Sequence, residues 1–297
     1  MKTFLSVCRT LNYTRSAAEL NITQPAVSQH IAFLESSYGA KLVARQGKRL
    51  SLTPAGVLLR DAAATMAHDE DVLRDAVAAL SGPRRSLRIG MTLTAGEYVL
   101  AEPLAHYLAA HPQVQVRIAS SDTERLLSQL RGGTTDCALV EGFFDKSAWE
   151  WSVFCTERLT AVCAPDSPLA QVKEPLAIED LLDQHVLVRE QGSGTRAVLA
   201  HALAGRNLSL ESFARATEIE SINIIKAFAA RGLGIAFVYE AAVARELAAG
   251  ALARIPLAGQ PVEHDLTFIW LRGSVFADEC RTFIDDLRTS ARALGML

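Results

Sequence analysis

Residues Thr14 to Tyr38 read as helix, turn, helix, and this grammar constrains the chain more than any other stretch. The first of the two helices carries Ala17, Ala18 and Leu20, small or apolar side chains that let a second helix approach closely. Asn21 and Ile22 break the pattern. Thr23 stands where an N-cap is wanted, and Pro25 falls in the first turn, where its missing N–H costs nothing. Val27, Ile31, Leu34 and Tyr38 then recur at helical spacing and predict one apolar face. The other face opens with Thr23, Gln24, Pro25, Ser28 and Gln29, at the end that a recognition helix offers to base edges in a major groove. A solvated helical hairpin has the same pattern, so the flanks decide between the two.

Gly39 to Gly56 follows at once and predicts a short hairpin with a Gln-Gly turn and basic side chains, a wing able to lie along phosphates through Arg45 and Lys48. The run combines Ala17-Ala18, Gln24 to Ser28, Leu34-Glu35, Leu42, Arg45, Leu52-Thr53 and Gly56 in one order. On these residues it resembles the N-terminal domain of LysR-type transcriptional regulators. Two positions depart from that family's pattern. Val43 stands where Phe is usual, and Gln29 where Arg is frequent. Helix 1 starts at Lys2, nearer the chain start than in the family, which suggests a clipped first helix or a misassigned start codon.

Charge is divided along the chain. Residues 1–60 carry eight Lys and Arg against Glu19 and Glu35, a surplus of six, whereas the whole chain of 297 residues is at −3. A basic head on an acidic body suits a DNA-binding unit joined to something else. The five cysteines (Cys8, Cys137, Cys155, Cys163, Cys280) are scattered, with no Cys-x-x-Cys pair and no His at metal-ligand spacing. This argues against a disulfide framework and a metal site, and for a reducing cytoplasmic compartment. No signal peptide or membrane span is legible.

After the head, Thr53-Pro54 is a second cap-plus-proline start, and a long helix runs to about Leu80. Leu59, Met66, Leu73 and Leu80 recur at seven, with Ala62, Ala63, Ala76 and Val77 beside them, as a short coiled-coil seam would. Ser81 to Ser86 reads as the hinge. From Leu87 the pattern alternates between strand-like and helix-like runs, which implies parallel sheets covered by helices. The expected fold is α+β overall: a winged helix-turn-helix (1–56), a linker helix and hinge (57–86), and an α/β effector domain (87–297). That domain would divide into subdomain I (about 87–160 and 266–297) and subdomain II (about 161–265), with a crossover near Phe154–Ala164. The pattern is similar to the effector domain of the same family, which is periplasmic-binding-protein-like.

Ligands of such domains bind at strand C-termini and helix N-termini. Three loops qualify: Thr92–Gly96, Ser120–Thr123 and Gln191–Arg196. Hydroxyls, free N–H groups and a guanidinium together suit an anion. The resemblance places effector contacts in these loops, with Thr92, Thr94, Ser120, Ser193, Thr195 and Arg196 as the candidates. Glu220 would repel an anion and is left out of the set. Each hydroxyl could instead simply cap its own helix.

The resemblance implies double-stranded operator DNA and a small anionic metabolite as partners, a homodimer through the linker helix, assembly to a homotetramer, and RNA polymerase as a further contact. It implies neither cofactor nor membrane. Two other readings stay open here. One is a thiol-based redox-sensing regulator, with Cys155 and Cys163 close enough in sequence to meet. The other is a solute-binding or enzymatic α/β protein. The second lacks a Gly-x-Gly-x-x-Gly or phosphate loop, and the seven histidines are dispersed without catalytic spacing.

Overall fold

The computed structural model describes residues 1–46, 49–79 and 86–297. Three helices form the head: α1 (Lys2–Thr10), α2 (Tyr13–Glu19) and α3 (Gln24–Tyr38). Asn12 caps α2 by accepting from Thr14 and Arg15, and Thr23 caps α3 by accepting from Ala26. Phe4, Val7, Ala17, Val27, Ile31, Leu42 and Leu59 make the core of the head. The predicted apolar face of α3 is shorter than its spacing implies. Tyr38 is exposed beside the Gly39 C-cap, because the core ends one turn earlier. Ala17 is buried and Ala18 is exposed.

The wing consists of β1 (Val43–Gln46) and β2 (Arg49–Leu52), antiparallel with Val43 opposite Leu52. It is anchored to α3 by Glu35, whose carboxylate accepts the N–H of Leu42 at 3.0 Å and pairs with Lys41 at 2.6 Å. Thr53 Oγ1 donates to the Lys41 carbonyl and accepts from Gly56 N–H. A side chain at Gly56 would run into the Leu42 carbonyl, so the Leu-Thr-x-x-Gly run is a packing requirement of the wing base.

The linker helix α4 (Pro54–Ala79) spans 26 residues. It has two faces. Leu59, Ala63, Ala64, His68 and Val72 are buried, and Leu58, Met66, Leu73 and Val77 are exposed. Leu59 therefore belongs to the head core and not to the outward seam expected from the sequence. The helix is also docked on the following domain. Thr65 Oγ1 donates to the Arg272 carbonyl (3.3 Å), and Asp69 accepts from Ser274 Oγ (2.5 Å) and Val275 N–H (3.1 Å). Leu80 and most of the predicted hinge, residues 81–85, lie outside the described residues.

The remaining elements are β3 (Ser86–Met91), a π-helical turn (Ala95–Leu100) running into α5 (Ala101–Ala110), β4 (Gln115–Ser120), α6 (Thr123–Arg131), β5 (Cys137–Val140) and β6 (Trp149–Cys163). Then follow β7 (His185–Val188), α7 (Gly194–Ala204), β8 (Arg215–Glu218), α8 (Ile222–Ala230), β9 (Ile235–Tyr239), α9 (Glu240–Ala248), β10 (Ala253–Ile255), β11 (Val262–Leu271) and α10 (Ala277–Ala293). The sheet order is β4-β3-β5-β11-β6-β9-β7-β8, with β10 also on β6. Strands β4, β3 and β5 are mutually parallel, as are β8, β7 and β9. Between these two parallel groups runs the antiparallel pair β6–β11. The start of β6 and the end of β11 serve the first group, and the end of β6 serves the second. The two subdomains thus share a ribbon of two long strands, where the sequence suggests only a crossover and a return.

Candidate functional site

Two surfaces carry the candidate residues. On the head, Thr23, Gln24, Pro25, Ser28 and Gln29 are all exposed, on the outer side of α3 and at its N-terminus. Val27 and Ile31 pin the opposite side of that helix into the core. Arg45 is exposed on β1, with its guanidinium 5.8 Å from the centre of the Tyr13 ring. Lys48 lies outside the described residues. Helix and wing together present short polar side chains flanked by a cation, which is suited to base edges and phosphates.

The second surface is a cleft of about 320 Å³ at the C-terminal ends of β3, β4, β5 and β7. Thr92, Ser120 and Ser193, all predicted, line it. Thr94 and Thr195 are buried beneath it. Thr94 Oγ1 accepts from Arg189 Nη1 at 3.0 Å, and Thr195 Oγ1 donates to the Glu141 carboxylate at 3.3 Å. Arg196 does not line this hollow but the adjoining one, which shares Glu141, Gln191, Ser193 and Gly194 with it. Its guanidinium donates to the Arg189 carbonyl (2.9 Å) and pairs with Glu218.

Two residues central to the cleft were missed by sequence reasoning. Glu141 follows the fully buried strand β5, and Arg189 follows β7. Each is the first residue past a strand C-terminus, and that position was the available signal. Glu141 is 2% exposed, and burial pushes its carboxyl up to about 7 against the opposing pull of Arg189. Tyr239 faces the same carboxyl, and burial together with Glu141 holds its phenol above the ordinary range. Arg189 is 5% exposed and gripped on two sides by Glu190, at 2.8 and 2.9 Å. Gly194 has no room for a side chain, because a Cβ there would strike Glu141; the first turn of α7 is thereby seated on the carboxylate.

The hydroxyls of Ser193 and Thr92 are buried and complete no regular hydrogen bond, although Thr92 faces the Glu141 carboxyl. Buried hydroxyls in this state are uncommon in folded proteins and call for a partner. Ser193 is the N-cap residue of α7, yet its side chain makes no cap bond. The simple capping explanation therefore fails for Ser193. It holds for the neighbouring Asp122, which caps α6. A separate hollow of about 430 Å³ lies against Trp149, Trp151 and Trp270. Its three arginines are already engaged: Arg281 pairs with Glu150, Arg288 with Asp285, and Arg272 donates to the Trp149 carbonyl.

The thiol reading loses its geometry. Cys155 and Cys163 sit on one extended strand, β6, and eight residue steps place them roughly 26 Å apart. A disulfide needs Cα atoms within about 7 Å. Burial also pushes the Cys155 thiol up to about 12, away from the reactive thiolate. Among the described residues no group of His, Cys, Asp and Glu could hold a metal ion, and no helix is long and apolar enough to cross a membrane.

Residues 1–57 match the family model described as "Bacterial regulatory helix-turn-helix protein, lysR family", and residues 80–292 match "LysR substrate binding domain". The HTH-type transcriptional regulator CysL of Bacillus subtilis is 29% identical over 248 residues, covering 83% of this chain and 82% of that protein. The full-length regulator LysG of Corynebacterium glutamicum, solved with bound effector Arg, superposes with a TM-score of 0.64 at 22% identity, covering 98% of this chain and 96% of that one. The regulatory domain of CcmR from Synechocystis, in complex with 2-PG, gives a TM-score of 0.61 at 22% identity, covering 69% and 96%.

Proposed function

The chain belongs to the LysR family of transcriptional regulators, and from that premise we propose that a small anionic metabolite in the cleft between the subdomains controls its grip on operator DNA. The observation that carries this is the buried Ser193 hydroxyl, which completes no hydrogen bond and opens on the cleft at the start of α7, with Thr92 on the opposite lining. A ligand oxygen accepting from Ser193 would complete it. On the same fold, LysG is solved with bound effector Arg and the CcmR regulatory domain in complex with 2-PG, which supports a ligand-binding use here. Thr23, Gln24, Pro25, Ser28 and Gln29 meet the bases, and Arg45 and Lys48 the backbone. The exposed stripe of Leu58, Met66, Leu73 and Val77 pairs with a second copy of the linker helix, and two such dimers make the tetramer.

The ligand acts by binding one arrangement of the assembly more tightly than another. The test is a thermal-shift screen of the full chain against small carboxylates and oxyanions, since a ligand of the folded state raises Tm. A hit that Thr195→Ala abolishes supports the reading. A hit that Thr195→Ala and Ser193→Ala both leave unchanged puts the effector elsewhere.

A further inference from the structure

The cleft has the donors of an anion site and the charge balance of an acidic one. Its donors are Ser193 Oγ, Thr92 Oγ1 and the N–H groups in the first turn of the 11-residue helix α7. Its charged groups are Glu141, Glu190, Glu220 and Asp122 against Arg189 and Arg125. Both cations are engaged. Arg189 is held by Glu190 and donates to Thr94, and Arg125 stands at the rim against Asp122 at 3.3 Å. Glu220 is in no ion pair among the described residues.

Glu141 forms the floor. Thr195 (α7) and Arg189 (after β7) face it from one subdomain, Tyr239 (β9) from the same side, and Thr92 (after β3) from the other. A ligand whose oxygens reached Ser193 and α7 would lie against this carboxylate. Above about pH 7, where Glu141 is ionised, a ligand whose every oxygen was a bare acceptor would set two sets of lone pairs against each other in a desolvated site, a repulsive contact. If the ligand carried one hydrogen beside its anionic oxygens, that hydrogen would close the contact.

We infer that Glu141 makes the cleft selective for small acids that carry a hydrogen-bond donor next to their anionic oxygens. The donor is accepted by Glu141 while Ser193, Thr92 and the start of α7 serve the oxygens. This rests on the cleft being the effector site. Two kinds of compound share that chemistry: oxyanions that retain a proton at neutral pH, such as hydrogenphosphate and hydrogencarbonate, and carboxylates with an α-hydroxyl or α-ammonium group. No bond is made or broken, and only hydrogen bonds are exchanged.

The experiment uses matched probes on the full chain at pH 7.5, by thermal shift and calorimetry at millimolar concentration. The oxyanion probes are hydrogenphosphate and hydrogencarbonate, set against sulfate and nitrate. The carboxylate probes are glycolate and glycine, set against acetate. At least one donor-bearing probe is expected to bind with a preference on the order of a hundredfold over its donor-free match. Glu141→Gln, whose amide both donates and accepts, should shrink that preference to about threefold by admitting the donor-free anion. Ser193→Ala should weaken both members of the pair and leave their ratio intact, which separates loss of an oxygen contact from loss of selectivity. Which pair responds tells a protonated oxyanion from an α-substituted carboxylate. Equal binding of matched probes, an unchanged ratio in Glu141→Gln, or no binding by any probe overturns the inference. In each of these cases, a different small molecule whose binding needs Thr195 would leave the effector-cleft reading standing.

Discussion

Thr195 Oγ1 lies 3.3 Å from Glu141 Oε2, and the two residues belong to different subdomains, one on helix α7 and the other at the end of strand β5. This hydrogen bond to a buried carboxylate crosses the cleft floor. Gly194 sits against the same carboxylate, and Thr94 reaches Thr195 at 3.5 Å. The cleft is therefore tied together at its base.

Thr195→Ala removes this tie without touching the head. Effector affinity is expected to fall about tenfold, the usual scale for a hydrogen bond to a charged group. Operator affinity without effector should be unchanged. Calorimetry with the effector and fluorescence anisotropy on operator DNA measure the two quantities separately.

Glu141 sets a pH dependence of stability. Burial pushes it up to about 7, above the ordinary carboxyl value of 4.5, so the folded state holds a proton that the unfolded chain has released between these pH values. The stability that this proton represents is fully present below about pH 4.5 and is lost as pH rises through 7, a change of about 3 kcal/mol. Comparing Tm between pH 5 and pH 8 for wild type and Glu141→Gln isolates the effect. The variant should show the shallower decline, and parallel curves would remove Glu141 as the cause.

Gly56→Ala places a methyl group against the Leu42 carbonyl at the foot of the wing. The helix start and the wing would have to separate, at an expected cost of about 2–3 kcal/mol. Operator binding should fail while the effector domain still responds to ligand. Urea unfolding followed by circular dichroism, with ligand binding measured in parallel, detects this split.

Gln24→Ala and Ser28→Ala should each cost about 1–3 kcal/mol in specific binding and relax the sequence preference at one base pair. Arg45→Ala should weaken binding to all sequences and lower the salt slope by about one. Binding measured over a salt series on operator and scrambled DNA sorts the two kinds of contact. A change of sequence preference in Arg45→Ala with the salt slope intact would count against its backbone role.

Leu73 is 56% exposed on the outward stripe of α4. Leu73→Asp puts a charge into the paired seam and should convert dimers to monomers in sedimentation velocity. Unchanged sedimentation would place the dimer contact elsewhere.

The head was legible because its signals are local. The caps at Thr23 and Thr53, the apolar spacing of α3 and the Gly56 constraint all act within a few residues. Tyr38 and Leu59 misled for one shared reason: periodicity finds an apolar face without saying what covers it. Tyr38 is left outside the core, and Leu59 is claimed by the head before it could join a seam. The loops of the cleft were legible as strand ends, but the chemistry of its floor was not. Glu141 and Arg189 meet only after β5 and β7 are brought across the shared ribbon, and nothing near either residue in sequence announces the other. Arg196 was legible as a guanidinium at a helix start, but its ties to Glu218 and to the Arg189 carbonyl were not, because both partners come from other parts of the chain.

The β6–β11 pair carries a mechanical implication. Both strands run from one half of the sensor to the other, with a single shift of register between Leu266 and Thr267, so those halves are not plates swinging on a slack string. They are the ends of a torsion bar, and one half can turn against the other only by winding or unwinding a hydrogen-bonded ladder. One end of that bar is bolted down. Strand β11 finishes at Leu271, the next carbonyl is the one that Thr65 grips, and Asp69 clamps Ser274 and Val275 just beyond. A few degrees of winding caused by a molecule in the cleft would therefore leave the sensor as rotation of the α4 rod, whose far end carries the DNA-facing head.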